Sequence, residues 1–175
     1  MKPLADYIRT IPDFPKPGIL FRDIVPLIED VDGLSRSIEV LKEGVSEWGP
    51  ITKVAGVEAR GFIFSAPLAL ELNAGFVPVR KPGKLPFETV SVEYSLEYGT
   101  NRIEMHKDSL KPTDRVLLVD DLLATGGTMA ACRKLVEGFG ATVIGAAVII
   151  ELVDLKGRDR LSGIPLFAPV KFGGE

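Results

Sequence analysis

Cysteine and histidine are nearly absent from this 175-residue chain, which has one of each, Cys132 and His106. A single thiol cannot form an internal disulfide, and it cannot supply a cysteine-based zinc site. A lone histidine without a serine or cysteine partner motif gives no hydrolytic triad. The sequence therefore lacks the common sites built on these two residue types, and we regard both residues as structural.

Long hydrophobic runs are also missing. No segment approaches the ~20 consecutive apolar residues of a membrane span. The first twenty residues include Asp6, Asp13 and several prolines, so they lack the continuous apolar segment of a signal peptide. We expect a soluble, cytoplasmic protein that has no membrane partner.

An excess of positive charge is the third absence, because the formal net charge is −3. A protein that holds nucleic acid by its backbone is more often basic over a whole face. We therefore expect no nucleic-acid partner. Small anions are still suitable ligands, because a few local cations and backbone amides suffice to bind them on an acidic protein.

What the chain does have is a succession of apolar strands and helical patterns within one predicted domain, residues 1–175. The opening stretch is rich in proline and should be extended and irregular. Apolar residues from Leu34 to Trp48 recur at helical spacing, with Asp32 as the expected N-cap. The later predicted elements are strands 54–57, 77–79, 116–119 and 143–150, helices 62–72 and 127–139, and a β-hairpin over 89–106 that turns at Gly99-Thr100-Asn101.

This alternation predicts an α/β fold, with a mostly parallel sheet covered by helices on both faces and one inserted antiparallel hairpin. In such folds the ligand site lies at the carboxyl ends of the strands.

The segment VLLVDDLLATGGTM, residues 116–129, is the most informative part of the chain. A buried strand is predicted to end at two carboxylates, Asp120 and Asp121, before a short loop from Leu122 to Gly126. Small side chains let backbone N–H groups close around a phosphate at the start of the next helix. The carboxylates could accept hydrogen bonds from the vicinal hydroxyls of a sugar, so the pattern fits a ribose 5-phosphate. The alternative is a tight turn in which the aspartate pair caps the helix.

No lysine follows Gly127, so the loop is not a P-loop. The string instead closely resembles the motif with which type I phosphoribosyltransferases bind phosphoribosyl pyrophosphate (PRPP). The resemblance implies that Asp120 and Asp121 face the ribose hydroxyls. It also implies that the 5′-phosphate is held by Ala124, Thr125, Gly126, Gly127 and Thr128.

The resemblance extends over nearly the whole chain to the adenine phosphoribosyltransferases. The matching segments, in the family's order, are FPKPGILFRDI at 14–24, GVEARGF at 56–62, RKPGKLP at 80–86, YSLEYG at 94–99 and LKGRDRL at 155–161. The resemblance implies transfer of the phosphoribosyl group of PRPP to adenine in purine salvage, giving AMP and pyrophosphate. It further implies a homodimer and a small N-terminal hood segment.

The family also suggests where the pyrophosphate binds. Its loop after the first sheet strand often contains a strained peptide, which here corresponds to Glu58–Ala59, with Arg60 as the nearby cation. The alternative is a surface Arg60 paired with Glu58. Arg80 and Lys84, in a cationic run with Lys81, are the favoured counter-charges, and one of them could come from a partner subunit. Without the resemblance, such a run of charges usually indicates a solvated loop, which is the alternative here.

For the base, the resemblance implies that backbone groups around Leu20 and Arg22, in a segment of about 14–24, read its edge. Phe21 either stacks nearby or belongs to the core. Glu97 corresponds to the acid proposed to handle the proton of the base, on a flexible hood of about 85–103.

Mg²⁺ is expected to be held mainly by substrate oxygens and water rather than by a protein cage. The alternatives are a phosphoribosyltransferase for hypoxanthine, xanthine or orotate, and a non-catalytic PRPP-sensing regulator. A PRPP-making kinase has a similar loop but would need more chain and an ATP site.

Overall fold

The structure, a computed structural model, describes residues 2–95 and 100–174, in which strands and helices alternate along most of the chain. The strands are β1 (Arg9–Pro12), β2 (Leu20–Asp23), β3 (Lys53–Val57), β4 (Gly75–Val79), β5 (Thr89–Ser95), β6 (Thr100–His106), β7 (Arg115–Leu123), β8 (Thr142–Leu152), β9 (Leu166–Phe167) and β10 (Val170–Phe172). The α-helices are α1 (Val25–Glu29), α2 (Val31–Val45), α3 (Gly61–Glu71) and α4 (Gly127–Glu137). Short 3-10 helices cover Leu4–Tyr7, Ser46–Trp48, Val153–Leu155 and Gly157–Leu161.

The central sheet is parallel, in the order β10-β8-β7-β3-β4, with β9 pairing against β8. Its middle strands are buried on both faces, which explains their unbroken apolar sequence. One hydrophobic cluster includes α4 with Val116 and Leu118 of β7, and another includes α2 and α3 with Leu117 and Val119. The predicted fold class is therefore confirmed.

Helix α2 begins earlier than its apolar stripe predicts. The N-cap is Asp30, not Asp32, because the Asp30 carboxylate accepts hydrogen bonds from the N–H groups of Asp32 and Gly33. Ile38, Leu41 and other apolar residues of the stripe are buried against the sheet. The periodicity located the helix, but a choice between two aspartates two residues apart required the backbone geometry.

The N-terminal region contains regular structure that the sequence did not predict. Strands β1 and β2 pair antiparallel over four residues each, and the short helix α1 follows. Arg9 donates two hydrogen bonds to the Asp23 carboxylate across this pair, at 2.8 and 3.0 Å. Strands this short carry too little periodicity to be recognised beside several prolines.

The predicted hairpin is present as β5 and β6, whose register runs from Thr89 opposite His106 to Ser95 opposite Thr100. Thr100 and Asn101 lie in β6 rather than in the turn, and Gly99 falls outside the described residues. Cys132 is fully buried in α4, and burial raises the pKa of its thiol to about 12, so it is an inert core residue.

No helix in residues 2–95 and 100–174 is long and apolar enough to cross a membrane.

Candidate active site

The two adjacent aspartates lie within β7 rather than after it. Pairing with β8 continues as far as Leu123 opposite Glu151, so the predicted strand end at Val119 was too early. Backbone hydrogen bonds to the long, buried strand β8 keep these residues extended despite the low strand propensity of aspartate. The connection to α4 is correspondingly short, residues 124–126, and does not begin at Leu122.

Burial raises the proton affinity of both carboxylates of this acidic pair. The Asp121 carboxylate is only 4% exposed, and Asp120 Oδ1 accepts the N–H of Asp121 at 2.9 Å. Burial raises the pKa of Asp120, and the neighbouring charge of Asp121 raises it further. Burial also raises the pKa of Asp121, but Arg60 opposes this rise. Asp121 is therefore the better stabilised anion of the two.

Arg60, at the start of α3, is the counter-charge of Asp121. Its Nε lies 2.8 Å from Asp121 Oδ2. This oxygen is buried and accepts no hydrogen bond from the described residues, so the charge of Arg60 is what compensates its burial.

The phosphate loop, residues 124–128, joins β7 to α4. Gly126 is the N-cap of α4, with φ of 78°, and no side chain caps the helix. This excludes the alternative in which the aspartate pair caps the helix. Gly127 does not share the positive φ. The loop and Asp120 line a cavity of about 100 Å³ at the N-terminus of α4, the end at which the first N–H groups of a helix have no intrahelical acceptor.

The loop between β3 and α3 contains a cis peptide bond between Glu58 and Ala59. Glu58 does not pair with Arg60, as the surface alternative required. It pairs instead with Arg80, whose Nε lies 2.6 Å from Glu58 Oε2. Residues 58–60 line a cavity of about 230 Å³ together with Asp120, Asp121 and Thr128.

The cationic run after β4 is partly ordered by these contacts. Arg80 donates to the carbonyl of Lys84 at 3.1 Å, and its backbone pairs with that of Glu104. Lys81, rather than the favoured Lys84, is among the residues that line the 230 Å³ cavity. The sequence had no signal that could rank these two lysines, because the loop conformation decides which one faces inward.

The N-terminal segment lines a third cavity, of about 370 Å³. Leu20, Phe21 and Arg22 contribute to its wall, and Phe21 packs edge-on against Phe14 at 5.1 Å between ring centroids. The Arg22 guanidinium lies over the ring of Phe172 at 4.1 Å and also donates to Thr10 Oγ1 at 2.8 Å.

Three apolar residues that sequence reasoning did not single out complete this wall: Leu122, Leu152 and Leu155. Leu155 belongs to a segment that resembled the family, but it carried no polar group that would mark it.

Shared residues connect the three cavities at the carboxyl edge of the sheet. Arg60 lines both the 230 Å³ and the 370 Å³ cavities. Asp120 and Thr128 join the 230 Å³ cavity to the phosphate-loop cavity, and Thr125 joins the latter to the 370 Å³ cavity. Asp120 thus lies between the 230 Å³ cavity and the cavity of the loop, and Arg60 and Thr125 connect these two to the largely apolar 370 Å³ cavity.

The hairpin reaches this edge through Tyr94. Thr128 Oγ1 donates to the Tyr94 hydroxyl oxygen at 3.2 Å, and Tyr94 lines the 230 Å³ cavity. The hairpin therefore touches the phosphate loop directly, a contact that strand alternation alone could not reveal. Glu97, the predicted proton acceptor, lies outside the described residues.

A further groove of about 840 Å³ lies between α2 and α3, with exposed Val31 and Leu70 on its wall. The Lys42–Glu71 ion pair, at 2.8 Å, spans these two helices. None of the predicted site residues lines this groove.

Comparison with known proteins identifies the class to which this arrangement belongs. Residues 32–163 match the family model described as phosphoribosyl transferase domain, which covers β3, β7 and the phosphate loop. The fold and the site therefore define a phosphoribosyltransferase.

The chain is 56% identical to an adenine phosphoribosyltransferase of Yersinia pseudotuberculosis over 177 aligned residues, which cover 100% of this chain and 94% of that protein. It belongs to the adenine phosphoribosyltransferase family.

Solved structures of adenine phosphoribosyltransferases have the same fold. That of the Thermoanaerobacter pseudethanolicus protein is 50% identical, with a TM-score of 0.93, and the match covers 97% of this chain and 98% of that one. The Saccharomyces cerevisiae protein, solved with an imino-altritol bisphosphate and adenine, is 39% identical, with a TM-score of 0.88 and coverage of 95% and 96%.

Proposed function

We propose that the protein transfers the 5-phosphoribosyl group of PRPP to adenine, producing AMP and pyrophosphate in purine salvage. The observation that carries the proposal is that shared wall residues, among them Asp120 and Arg60, connect the three cavities, in a chain of the adenine phosphoribosyltransferase family. One cavity is assigned to the 5′-phosphate, one to the pyrophosphate and one to the base. The ribose then lies where they meet.

The 5′-phosphate binds to residues 124–128. The first turn of α4 offers N–H groups without a side-chain cap, and Thr125 and Thr128 supply hydroxyl donors. Asp120 and Asp121 accept hydrogen bonds from the ribose hydroxyls. Asp121 Oδ2 supports this role, since it is ion-paired with Arg60 but accepts no hydrogen bond from the described residues, and a ligand hydroxyl would supply one.

The pyrophosphate binds in the 230 Å³ cavity, beside Glu58, Ala59 and Arg60. Arg60 and Lys81 provide positive charge on its wall. Arg80 and Lys84 act as neighbouring counter-charges, although Arg80 is already paired with Glu58.

Adenine binds in the 370 Å³ cavity between the N-terminal segment and Leu155. The wall is mainly apolar, as the faces of a purine require, and the backbone of Leu20 and Arg22 reads the polar edge. Because the Arg22 guanidinium is engaged with Thr10 and Phe172, its backbone rather than its side chain is assigned to recognition.

In the reaction, N9 of adenine forms a bond to the anomeric carbon of PRPP while the bond from that carbon to the pyrophosphate oxygen breaks. The pyrophosphate leaves with the electron pair, and positive charge develops on the ribose ring. Asp120 and Asp121 stabilise this charge. Glu97, on a hood of about 85–103, takes the proton from the base. The Tyr94–Thr128 contact supports the placement of this hood over the phosphate loop.

Mg²⁺ fits this site as a companion of the substrate. The described residues contain no group of three or more potential ligands, and Glu58 and Asp121 are paired with arginines. Of the carboxylates that the structure describes on the wall of the 230 Å³ cavity, Asp120 is the one outside an arginine ion pair, and it would contribute to an ion held mostly by substrate oxygens and water. When bound, Mg²⁺ neutralises charge on the pyrophosphate.

The protein is further proposed to act as one domain, residues 1–175, in a cytoplasmic homodimer. The family resemblance supports the dimer, and light scattering of the purified protein tests it.

Base selectivity separates this function from its rivals. A backbone carbonyl near Arg22 would favour the exocyclic amine of adenine and disfavour the oxo group of hypoxanthine. Such mismatches reject a substrate by ~10⁴ or more. With PRPP and Mg²⁺, kcat/KM is measured for adenine, hypoxanthine, xanthine and orotate, and only adenine is expected to react efficiently.

Arg22→Ala is the matched control, which should keep this selectivity even if it lowers stability. Equal use of any oxo base would refute the assignment of adenine. The absence of product from every base would favour a PRPP-sensing regulator.

A further inference from the structure

The segment that follows β8 packs its backbone directly against the phosphate loop. Gly157 is buried, and a Cβ at this position would overlap the carbonyl oxygen of Ala124 and lie 3.0 Å from the N atom of Gly126. In the reverse direction, a Cβ on Gly126 would overlap the carbonyl oxygen of Gly157. No side chain intervenes, so the position of one backbone fixes that of the other.

Residue 157 is glycine because of this approach and not because of its own dihedral angles. Its φ lies outside the left-handed region, unlike that of Lys156, at 51°. An alanine at 157 would therefore be free of backbone strain and would act through its methyl group alone. That methyl group could be accommodated only if residues 124–126 moved.

An ion pair between Arg158 and the buried carboxylate of Glu151 holds Gly157 in place. The next residue, Arg158, donates to both carboxylate oxygens of Glu151, at 2.6 and 2.9 Å, and to the carbonyl of Leu166 at 3.1 Å. The Glu151 side chain is only 6% exposed and belongs to β8, opposite Leu123 at the end of β7. The fork geometry of this pair fixes the direction of Arg158 as well as its distance.

We propose that Gly157 is a positioning residue for the reaction, because its backbone contact fixes where residues 124–126 lie relative to the carboxyl end of the sheet. The Glu151–Arg158 ion pair holds Gly157 in that position. This role rests on the proposed function, in which residues 124–128 bind the 5′-phosphate. The loop begins at the end of β7, and Glu151 is on the neighbouring strand. The sheet therefore positions the loop through two attachments, the end of β7 and the ion pair of Glu151 on β8.

The test compares Gly157→Ala with Gly173→Ala. The control makes the same chemical change near the same end of the chain, but its Cβ would meet only ordinary contacts, at 3.5 Å or more from Asp154. Dissociation constants are measured separately for ribose 5-phosphate and adenine, and KM for PRPP and adenine in the steady state. Gly157→Ala should weaken ribose 5-phosphate and raise KM for PRPP by roughly 10- to 100-fold, because small misplacements of a binding group have effects of this size.

Adenine binding should change several-fold less, and Gly173→Ala should change neither ligand. Arg158→Lys keeps the charge but loses the fork, so it should shift the same two quantities in the same direction by a smaller factor. If Gly157→Ala does not fold, Arg158→Lys decides by the same comparison. Equal losses for both ligands, or no loss for ribose 5-phosphate, overturn the inference.

Thr128→Ala separates the inference from the function on which it rests. If this direct change to the loop weakens ribose 5-phosphate but Gly157→Ala does not, the phosphate site stands and the positioning role fails. If Thr128→Ala has no effect on ribose 5-phosphate, the assignment of the phosphate site fails, and the inference fails with it.

Discussion

Removal of the Arg60 side chain should destabilise the protein through the charge it leaves behind. The guanidinium Nε lies 2.8 Å from Asp121 Oδ2, in a pair whose side chains are 46% and 5% exposed. Removing one partner of a fully buried pair costs ~3–5 kcal/mol, whereas a surface pair contributes about 0–1 kcal/mol. Since only Asp121 is buried, we expect Arg60→Ala to lower the free energy of unfolding by about 1–2 kcal/mol.

The pH dependence of this loss is the sharper signature. Arg60 lowers the pKa of Asp121 against the rise caused by burial. Without Arg60 the folded protein binds a proton at Asp121 more tightly, so the stability of the variant falls relative to the wild type as pH rises through that pKa. The loss should be full where Asp121 is ionised and should disappear as pH falls and the carboxyl group is protonated.

Urea denaturation across pH, with a double-mutant cycle, measures both effects. Asp121→Asn should remove most of the cost of Arg60→Ala, because no buried charge is left unpaired. Lys107→Ala is the matched control. Its pair with Glu88, at 3.1 Å, is exposed on both sides, so the loss should stay below about 1 kcal/mol. An additive cycle, or a loss that is independent of pH, would refute the role of Arg60 as a buried counter-charge.

Two further predictions concern Asp120 and the hairpin. Burial and the charge of Asp121 raise the pKa of Asp120 in the folded protein. The folded protein therefore loses stability as pH rises through this pKa and the Asp120 carboxyl group ionises. At a pH above this pKa, Asp120→Asn should raise the melting temperature of the ligand-free protein. The same change should lower kcat/KM by roughly 10- to 150-fold, through a lost charge-assisted hydrogen bond, and a lower melting temperature would contradict this account. Amides of residues 85–95 and 100–103 should exchange more slowly once AMP and pyrophosphate bind, since Tyr94 contacts the phosphate loop. Unchanged exchange with saturating ligands would argue against a closing hood.

Much of the fold could be predicted from local pattern. The apolar runs of β3 and β7 are typical of strands buried on both faces, and the strict alternation in β5 is typical of a strand buried on one face. Both patterns can be recognised from a few consecutive residues. The loop between β7 and α4 was likewise predictable, because a run of small residues after a strand and before a helix is a local signal. Here the family resemblance and the physical pattern agree.

Long-range packing determines which distant groups meet. The sequence suggested Glu58 as a partner for Arg60, yet Arg60 pairs with Asp121, 61 positions further along the chain, and Arg80 takes Glu58. The wall shared by Leu20 and Leu155 joins the two ends of the chain. Such contacts depend on how strands β3 and β7 align, which no local window encodes.

The pair of glycines at 126 and 157 illustrates the same division. Gly126 could be assigned to a loop from its neighbours alone, because positive φ is a local property. Gly157 carries no local signal, since its lack of a side chain matters only where another backbone approaches. Local sequence pattern was enough to predict strands β3 to β8, helices α2 to α4 and the loop between β7 and α4. The packing of the folded chain determined which side chain neutralises Asp121 and what supports the loop, because both result from contacts between segments far apart in the chain.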